Sequence, residues 1–326
     1  MRAAWVTVLD GPESVVVRET GEPPADPAAV RIDVAAAGIT FPDLLLTRGT
    51  YQIKPELPFV PGSEVAGVVR SAPEGSGFAA GQRVAAFPSF GGFSEVVDVD
   101  PGRVFPLPDR LSLTEACAVP MNYMTMHFAL THRGGLRAGE TVLVHGAAGG
   151  VGTAALQLIR AYGARSIAVV SSEEKAAVAK AAGADEVVLA AGFREHVAEL
   201  TGGQGVDMVV DPVGGDRFTD SLRSLATSGR LLVIGFTGGE IPTVRVNRLL
   251  LNNIAVVGVG WGAYWLKHPG YLQEQWRELL PLMETGQLVP LVGAVYPLEE
   301  AGAALAEMEA RRTKARTVLR MAQQGS

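Results

Sequence analysis

The stretch Gly146-Ala147-Ala148-Gly149-Gly150-Val151-Gly152 has the small-residue spacing that a phosphate-binding turn needs. It follows an apolar run, Thr141–His145, and opens a segment, Gly150–Tyr162, with helical periodicity. The dinucleotide fingerprint is G-x-G-x-x-G between a strand and a helix. Here Ala147 takes the first glycine position, and Gly149 and Gly152 take the other two. Gly149, with Ala148, Gly150 and Val151 beside it, would let backbone N–H groups approach a pyrophosphate at the positive end of the helix. Gly152 would let the helix lie close to the strand. An ordinary tight turn of small residues is the plain alternative. Folds that prefer NAD place a carboxylate about 20 residues further on, at the end of the second strand. That place is taken by Ser171 and Ser172, with Lys175 nearby. The hydroxyls can donate to a 2′-phosphate and the ammonium can add charge, so the reading is NADPH. Glu173 and Glu174 follow directly and would oppose a phosphate if turned inward. Ser172 could equally be a helix cap.

Other chemistry-bearing residues are sparse. His127, His132, His145, His196 and His268 form no i, i+4 pair, and the one cysteine, Cys117, sits in an apolar run. A cysteine in such surroundings is more often packing than a nucleophile. A single cysteine forms no intramolecular disulfide.

The elements that must position these residues fall into two textures. Val15–Val17, Val30–Val34, Val65–Val69, Arg83–Ala86 and Val96–Val99 read as short strands, separated by prolines that forbid long helices. A helical stretch, Glu115 to Leu130, follows, with Thr114 as its expected cap and Pro120 inside it. Then βα alternation begins. Strands are expected at Thr141–His145, Ser166–Val170, Glu186–Leu189, Val206–Asp211, Arg230–Gly235 and Ile254–Val259. Helices are expected at Gly150–Tyr162, Glu173–Ala182, Phe193–Leu200, Asp216–Leu225 and Val244–Leu251. This is the pattern of a doubly wound parallel sheet, and its strands are continuous apolar runs, as burial on both faces requires. Gly235 and Phe236, after the fifth strand, then belong to the carboxyl edge where ligands of such sheets bind. The last 65 or so residues, with helices at Tyr271–Thr285 and Leu298–Arg311 and a strand at Thr317–Met321, are too few for a domain of their own.

The 326 residues suit two domains, and 48% hydrophobic against 19% charged residues gives a sizeable core. A net charge of −6 argues against nucleic acid as a partner. No apolar run reaches the length of a membrane span, and the N-terminus lacks the apolar core of a signal peptide, so a cytoplasmic protein is expected.

The blocks Gly38-Ile39-Thr40-Phe41-Pro42-Asp43, Arg48-Gly49-Thr50-Tyr51, Pro61-Gly62-Ser63-Glu64-Val65-Ala66-Gly67, His145 to Gly152, Ile254–Val259 and Trp261-Gly262-Ala263-Tyr264 resemble the quinone oxidoreductase (zeta-crystallin-like) branch of the medium-chain dehydrogenases/reductases. The resemblance runs along essentially the whole chain and in the family's order. It implies an α/β protein with a GroES-like β-rich catalytic domain, residues 1–120 completed by 260–326, and a Rossmann NADPH-binding domain, 121–259. It implies a dimer or tetramer, often paired through the last strand, here Ile254–Val259, and a homodimer is expected.

Alcohol dehydrogenases of this superfamily hold catalytic zinc with a cysteine and a histidine at the positions that are Thr40 and Ser63 here. A structural zinc would need four cysteines. Without a Lewis acid, the acceptor must already be electrophilic: a quinone or another conjugated carbonyl. By the resemblance, Tyr51 is a candidate proton donor or pocket aromatic. Thr40 stands where some bacterial quinone reductases have asparagine, and Leu45 where they have a second tyrosine. Thr125 corresponds to a position near the nicotinamide. Val257, Gly258 and Val259 could offer backbone groups to the carboxamide, and Arg311 and Arg316 match basic positions near the cofactor. The expected activity is NADPH-dependent quinone reduction. An enoyl-thioester or alkenal reductase is the alternative on the same scaffold, and a non-catalytic nucleotide-binding protein is the alternative of another class.

Overall fold

The computed structural model describes residues 1–322. In chain order it begins with strands β1 (Arg2–Val6), β2 (Val15–Glu19) and β3 (Val30–Gly38), then helix α1 (Phe41–Thr47). Strands β4 (Val65–Ser71), β5 (Arg83–Ala86), β6 (Val96–Val99) and β7 (Val104–Pro106) follow, then helices α2 (Leu113–Ala116) and α3 (Val119–His127). The alternating part runs β8 (Thr141–Val144), α4 (Gly150–Ala161), β9 (Arg165–Val170), α5 (Glu173–Ala181), β10 (Glu186–Leu189) and α6 (Phe193–Leu200). It continues with β11 (Val206–Asp211), α7 (Phe218–Arg223), β12 (Leu225–Val233), α8 (Asn247–Asn252) and β13 (Ala255–Gly258). Helices α9 (Trp261–Trp265) and α10 (Tyr271–Glu284), strand β14 (Val292–Pro297), helix α11 (Ala301–Glu309) and strand β15 (Arg316–Arg320) complete the order.

Two compact units result: Met1–Met121 with the chain from Gly270 onward, and Asn122–Pro269. In the first, the sheet runs β14-β15-β3-β4-β5-β7, with β6 also on β3. The C-terminal segment enters this sheet because β15 pairs antiparallel with β3, Val318 opposite Gly38. Ile32, Val65, Val84, Phe93 and Leu319 are among its buried core residues, with Leu298 and Leu305 added from the C-terminal segment.

In the second unit all six strands are parallel in the order β10-β9-β8-β11-β12-β13. The order reverses between β8 and β11, which places the loops after these strands at the switch point of the sheet. Val142, Leu143 and Val144 of β8 are fully buried, as are Ala155, Leu158 and Ile159 on the inner face of α4. Burying each aliphatic side chain of this size contributes about 1.5–3 kcal/mol, which is why the continuous apolar runs become the central strands.

Local differences from the sequence reading have simple causes. Ser112, not Thr114, caps α2, because Ser112 and Glu115 satisfy each other's backbone N–H groups in a reciprocal box. The helix expected from Glu115 to Leu130 is split between α2 and α3, and Pro120 sits in the first turn of α3, where its missing N–H costs nothing. The helix expected over Asp216–Leu225 ends at Arg223, because Leu225 already pairs with Val206 as the start of β12. No helix among the described residues is long and apolar enough to cross a membrane.

Candidate active site

The first unit gathers buried polar groups around the start of α1. Thr40 caps that helix: its Oγ1 accepts from Asp43 N at 3.1 Å and donates to Asp43 Oδ2 at 2.6 Å. Asp43 also accepts from Thr40 N at 2.8 Å and, at its other oxygen, from Gly62 N at 3.1 Å. Ser63 Oγ stands 3.4 Å from Thr40 Oγ1. The single Thr40 proton is spent on Asp43, so Ser63 is the donor across that contact. Thr40 is therefore a fully buried positioning group whose hydroxyl fixes a carboxylate. Burial pushes the Asp43 carboxyl above its ordinary range, against the pull of the Thr40 hydrogen bonds.

Behind this cap lies a buried ion pair. Arg316 Nη2 donates to Glu64 Oε1, and Glu64 Oε2 accepts from Met121 N at 2.6 Å. Glu64 is 0% and Arg316 5% exposed. This corrects the expectation for Arg316: its guanidinium is committed to a carboxylate inside the unit and is not presented to a phosphate. Arg311, by contrast, is exposed, at φ 58 just past the end of α11.

Tyr51 is half-buried against Val6, Leu46 and Phe59. Burial raises its phenol above the ordinary value, and the nearby Asp43 carboxylate adds to the shift. A phenol that holds its proton at neutral pH can donate to a developing oxyanion.

The second unit supplies a different kind of site. Gly146 turns the chain after β8 at φ 59, so the tight-turn role falls to Gly146 and not to the Ala147 position. A Cβ on Gly152 would come within 2.3 Å of Gly146 O and 2.5 Å of the Ala147 Cα, so only glycine allows the helix this close. Gly149 is the N-cap of α4 and carries no side chain to satisfy the first turn. Among the described residues, the N–H groups of Ala148, Gly150 and Val151 have no hydrogen-bond partner. Open N–H groups at the start of a twelve-residue helix have the chemistry to accept an anion.

The neighbouring positions are set by the same sheet. Ser171 and Ser172 follow β9, Gly235 and Phe236 follow β12, and Val259 follows β13, so all of them share the carboxyl edge with the glycine turn. Ser172 Oγ accepts from Lys175 N at 3.3 Å, so it does cap α5, and its proton remains free to donate. Lys175 lies one turn into that helix, half-buried. Helix α3 is tied to α4 by Tyr123 Oη donating to Gln157 at 2.8 Å. Asn122 of the same segment lies so near Gly150 that a Cβ there would be 2.7 Å from its amide nitrogen. Thr125, one turn on, makes no side-chain hydrogen bond among the described residues. Val259 N donates to Val233 O at 3.0 Å and Gly258 O accepts from Arg133 at 2.9 Å, so these two groups are already used within the unit. Val257 is half-buried in β13.

Sequence reasoning missed three participants. Asp43 could have been found, since Thr40-Phe41-Pro42-Asp43 fits the capping pattern. Glu64 pairs across 252 residues, and His145 Nε2 meets Ser221 Oγ at 2.8 Å across 76, so neither had a local signal. Ser221 donates to Arg217 O at 2.9 Å, so His145 is the donor in that pair, and its Nδ1 is left buried without a partner.

Comparison with known proteins places this architecture. Residues 26–109 match the family described as the alcohol dehydrogenase GroES-like domain, and 150–285 match the family described as zinc-binding dehydrogenase. The chain is 37% identical over 322 residues to quinone oxidoreductase-like protein 2 of Bos taurus, spanning 98% of this chain and 92% of that one. A probable oxidoreductase from Mycobacterium abscessus superposes with a TM-score of 0.91 at 47% identity, over 98% of both chains. The quinone oxidoreductase of Thermus thermophilus, solved also with NADPH, gives 0.84 at 37% identity, over 98% of this chain and 100% of that one. Two-unit architecture, parallel sheet, glycine turn and these likenesses agree: the chain belongs to the quinone oxidoreductase family of the medium-chain dehydrogenases/reductases.

Proposed function

We propose that the protein is an NADPH-dependent reductase of quinones and works without zinc. The observation that carries the reading is the row of open N–H groups at Ala148, Gly150 and Val151, which suits a dinucleotide pyrophosphate. Ser171, Ser172 and Lys175 would hold the 2′-phosphate. Thr125, Phe236, Gly235 and Val257 would position the nicotinamide end. The bound NADPH supplies the hydride. Tyr51 then holds the proton that steadies the acceptor oxygen; burial, with the Asp43 carboxylate adding to it, raises that phenol above its ordinary value. Zinc independence is supported by Thr40 and Ser63 at the two positions where zinc-dependent relatives have ligands, and by the lack of any grouping of three His, Cys, Asp or Glu fit for a metal among the described residues. A homodimer is supported by β13, which stands at the end of its sheet, and by the exposed Val246, Leu250 and Leu251 in the segment before it.

The test follows NADPH absorbance with phenanthrenequinone and with crotonyl-CoA, each repeated with NADH. Fast oxidation with the quinone, much slower with NADH, is expected. Turnover of crotonyl-CoA alone moves the protein to the enoyl reductases. NADPH binding without turnover of either leaves only a nucleotide-binding role. In Tyr51→Phe, kcat for the quinone is expected to fall about 100-fold, the lower end of general-acid effects.

A further inference from the structure

Exposed aliphatic side chains scattered singly over a surface are ordinary, but a cluster beside a reactive group marks a binding face. Six large aliphatic residues of the first unit are exposed among the described residues: Val8, Leu9, Val16, Ile53, Leu57 and Val295. Four of them lie on the segments that adjoin Tyr51 and its packing partners Val6 and Phe59. Val6 and Phe59, against which Tyr51 rests, exchange both backbone hydrogen bonds, at 2.8 and 3.2 Å. That pairing brings together the segments leading out from it, so Val8 and Leu57 stand two residues beyond the pair, one on each segment. Leu9 lies over Gly49, where a Cβ would come to 2.8 Å from its Cδ1, and Gly11 N donates to Thr47 O at 3.1 Å to hold the loop there. Ile53 is two residues past Tyr51 in the same bend. The four are 48%, 42%, 50% and 44% exposed, in the order Val8, Leu9, Ile53, Leu57.

The charges of this rim do not suit a phosphate-bearing carrier. Arg48 is held by both oxygens of Glu309, each at 2.9 Å, and Lys54 has Glu56 two residues on. These four residues are apolar and exposed, and the rim offers no spare pair of cations.

We propose that Val8, Leu9, Ile53 and Leu57 bind an aliphatic tail carried by the quinone, an alkyl or prenyl chain that leaves the ring at Tyr51. The proposal rests on the quinone reading above and narrows its substrate class. Tail contacts are the same before and during hydride transfer, so they lower KM and leave kcat alone.

The experiment measures NADPH oxidation with a dimethoxy-methyl-benzoquinone lacking a side chain and with its decyl derivative. The decyl quinone is expected to show a KM roughly tenfold lower or better, with similar kcat, since each buried methylene adds to affinity. In Ile53→Ser/Leu57→Ser the KM ratio should fall toward one. In Val16→Ser, an exposed aliphatic on β2, it should stay as it was. A ratio of one in the unmodified protein, with both quinones reduced, overturns the tail proposal and leaves the quinone reading standing. So does a ratio that survives Ile53→Ser/Leu57→Ser. Flotation with phosphatidylcholine vesicles that the double variant abolishes, together with a ratio of one, assigns the face to a membrane surface and also overturns it. Oxidation with neither quinone brings down the quinone reading and the tail with it.

Discussion

The polar groups around Thr40 and those around Gly149 are both arranged by a helix N-terminus, and they are used in opposite ways. At α1 the side chains satisfy one another: Thr40 caps, Asp43 closes the cap, and Glu64 is answered by Arg316. At α4 nothing closes the helix, and its N–H groups stay open. A closed network fixes the shape of a site, whereas an open one binds a ligand. The order at α1 comes from the Thr40 hydroxyl on the Asp43 carboxylate, with the Ser63 hydroxyl 3.4 Å from Thr40 Oγ1.

The contrast predicts where each region is fragile. The largest effect should come from Arg316→Met, which strands the buried Glu64. A loss of about 3–5 kcal/mol is expected in urea unfolding, and Glu64→Leu/Arg316→Met should recover much of it. Unimpaired stability in the single variant would show that the network is not what orders the site. Next is an effect of pH on the second unit. Burial lowers the His145 pKa to about 4 in the folded protein, from 6.5. The unfolded chain therefore takes up a proton below pH 6.5 that the folded one refuses until about 4. Stability should fall by about 2 kcal/mol between pH 8 and pH 5, and His145→Asn should remove that part of the slope. Third, Gly152→Ala forces a methyl onto the Gly146 carbonyl and should cost about 1–3 kcal/mol. It should also weaken NADPH binding by calorimetry, while leaving the cap at α1 untouched. Smallest is Thr40→Ala, a lost cap worth about 1 kcal/mol. If it cost several times that, Asp43 would depend on Thr40 more than its Gly62 contact implies.

The second unit was largely legible in the sequence, because its strands are buried on both faces and spell continuous apolar runs such as Thr141–Val144. The first unit was less so. β1, Arg2–Val6, carries no alternation strong enough to announce a strand, and β14 has mostly exposed residues. Helix α1 went unseen although its cap is written in Thr40 and Asp43. The glycine turn was found, but Gly146 as its left-handed residue was not, since only the backbone path distinguishes it from Ala147. Arg316 was assigned to the cofactor by the resemblance, and its true partner, 252 positions away, leaves no local signal.

The pairing of β15 with β3 joins Val318 to Gly38, with Leu319 opposite Ala37 and Arg320 opposite Ala36. Such a distant pairing carries a high loop-closure cost until the intervening chain has condensed. Asn122–Pro269 makes its parallel sheet from its own strands, so it can fold first and act as a ready-made tether that shortens the loop to be closed. In refolding, the amides of β8 and β11 should then gain protection from hydrogen exchange before those of β15, and the proposed catalytic surface would be the last part of the molecule to mature.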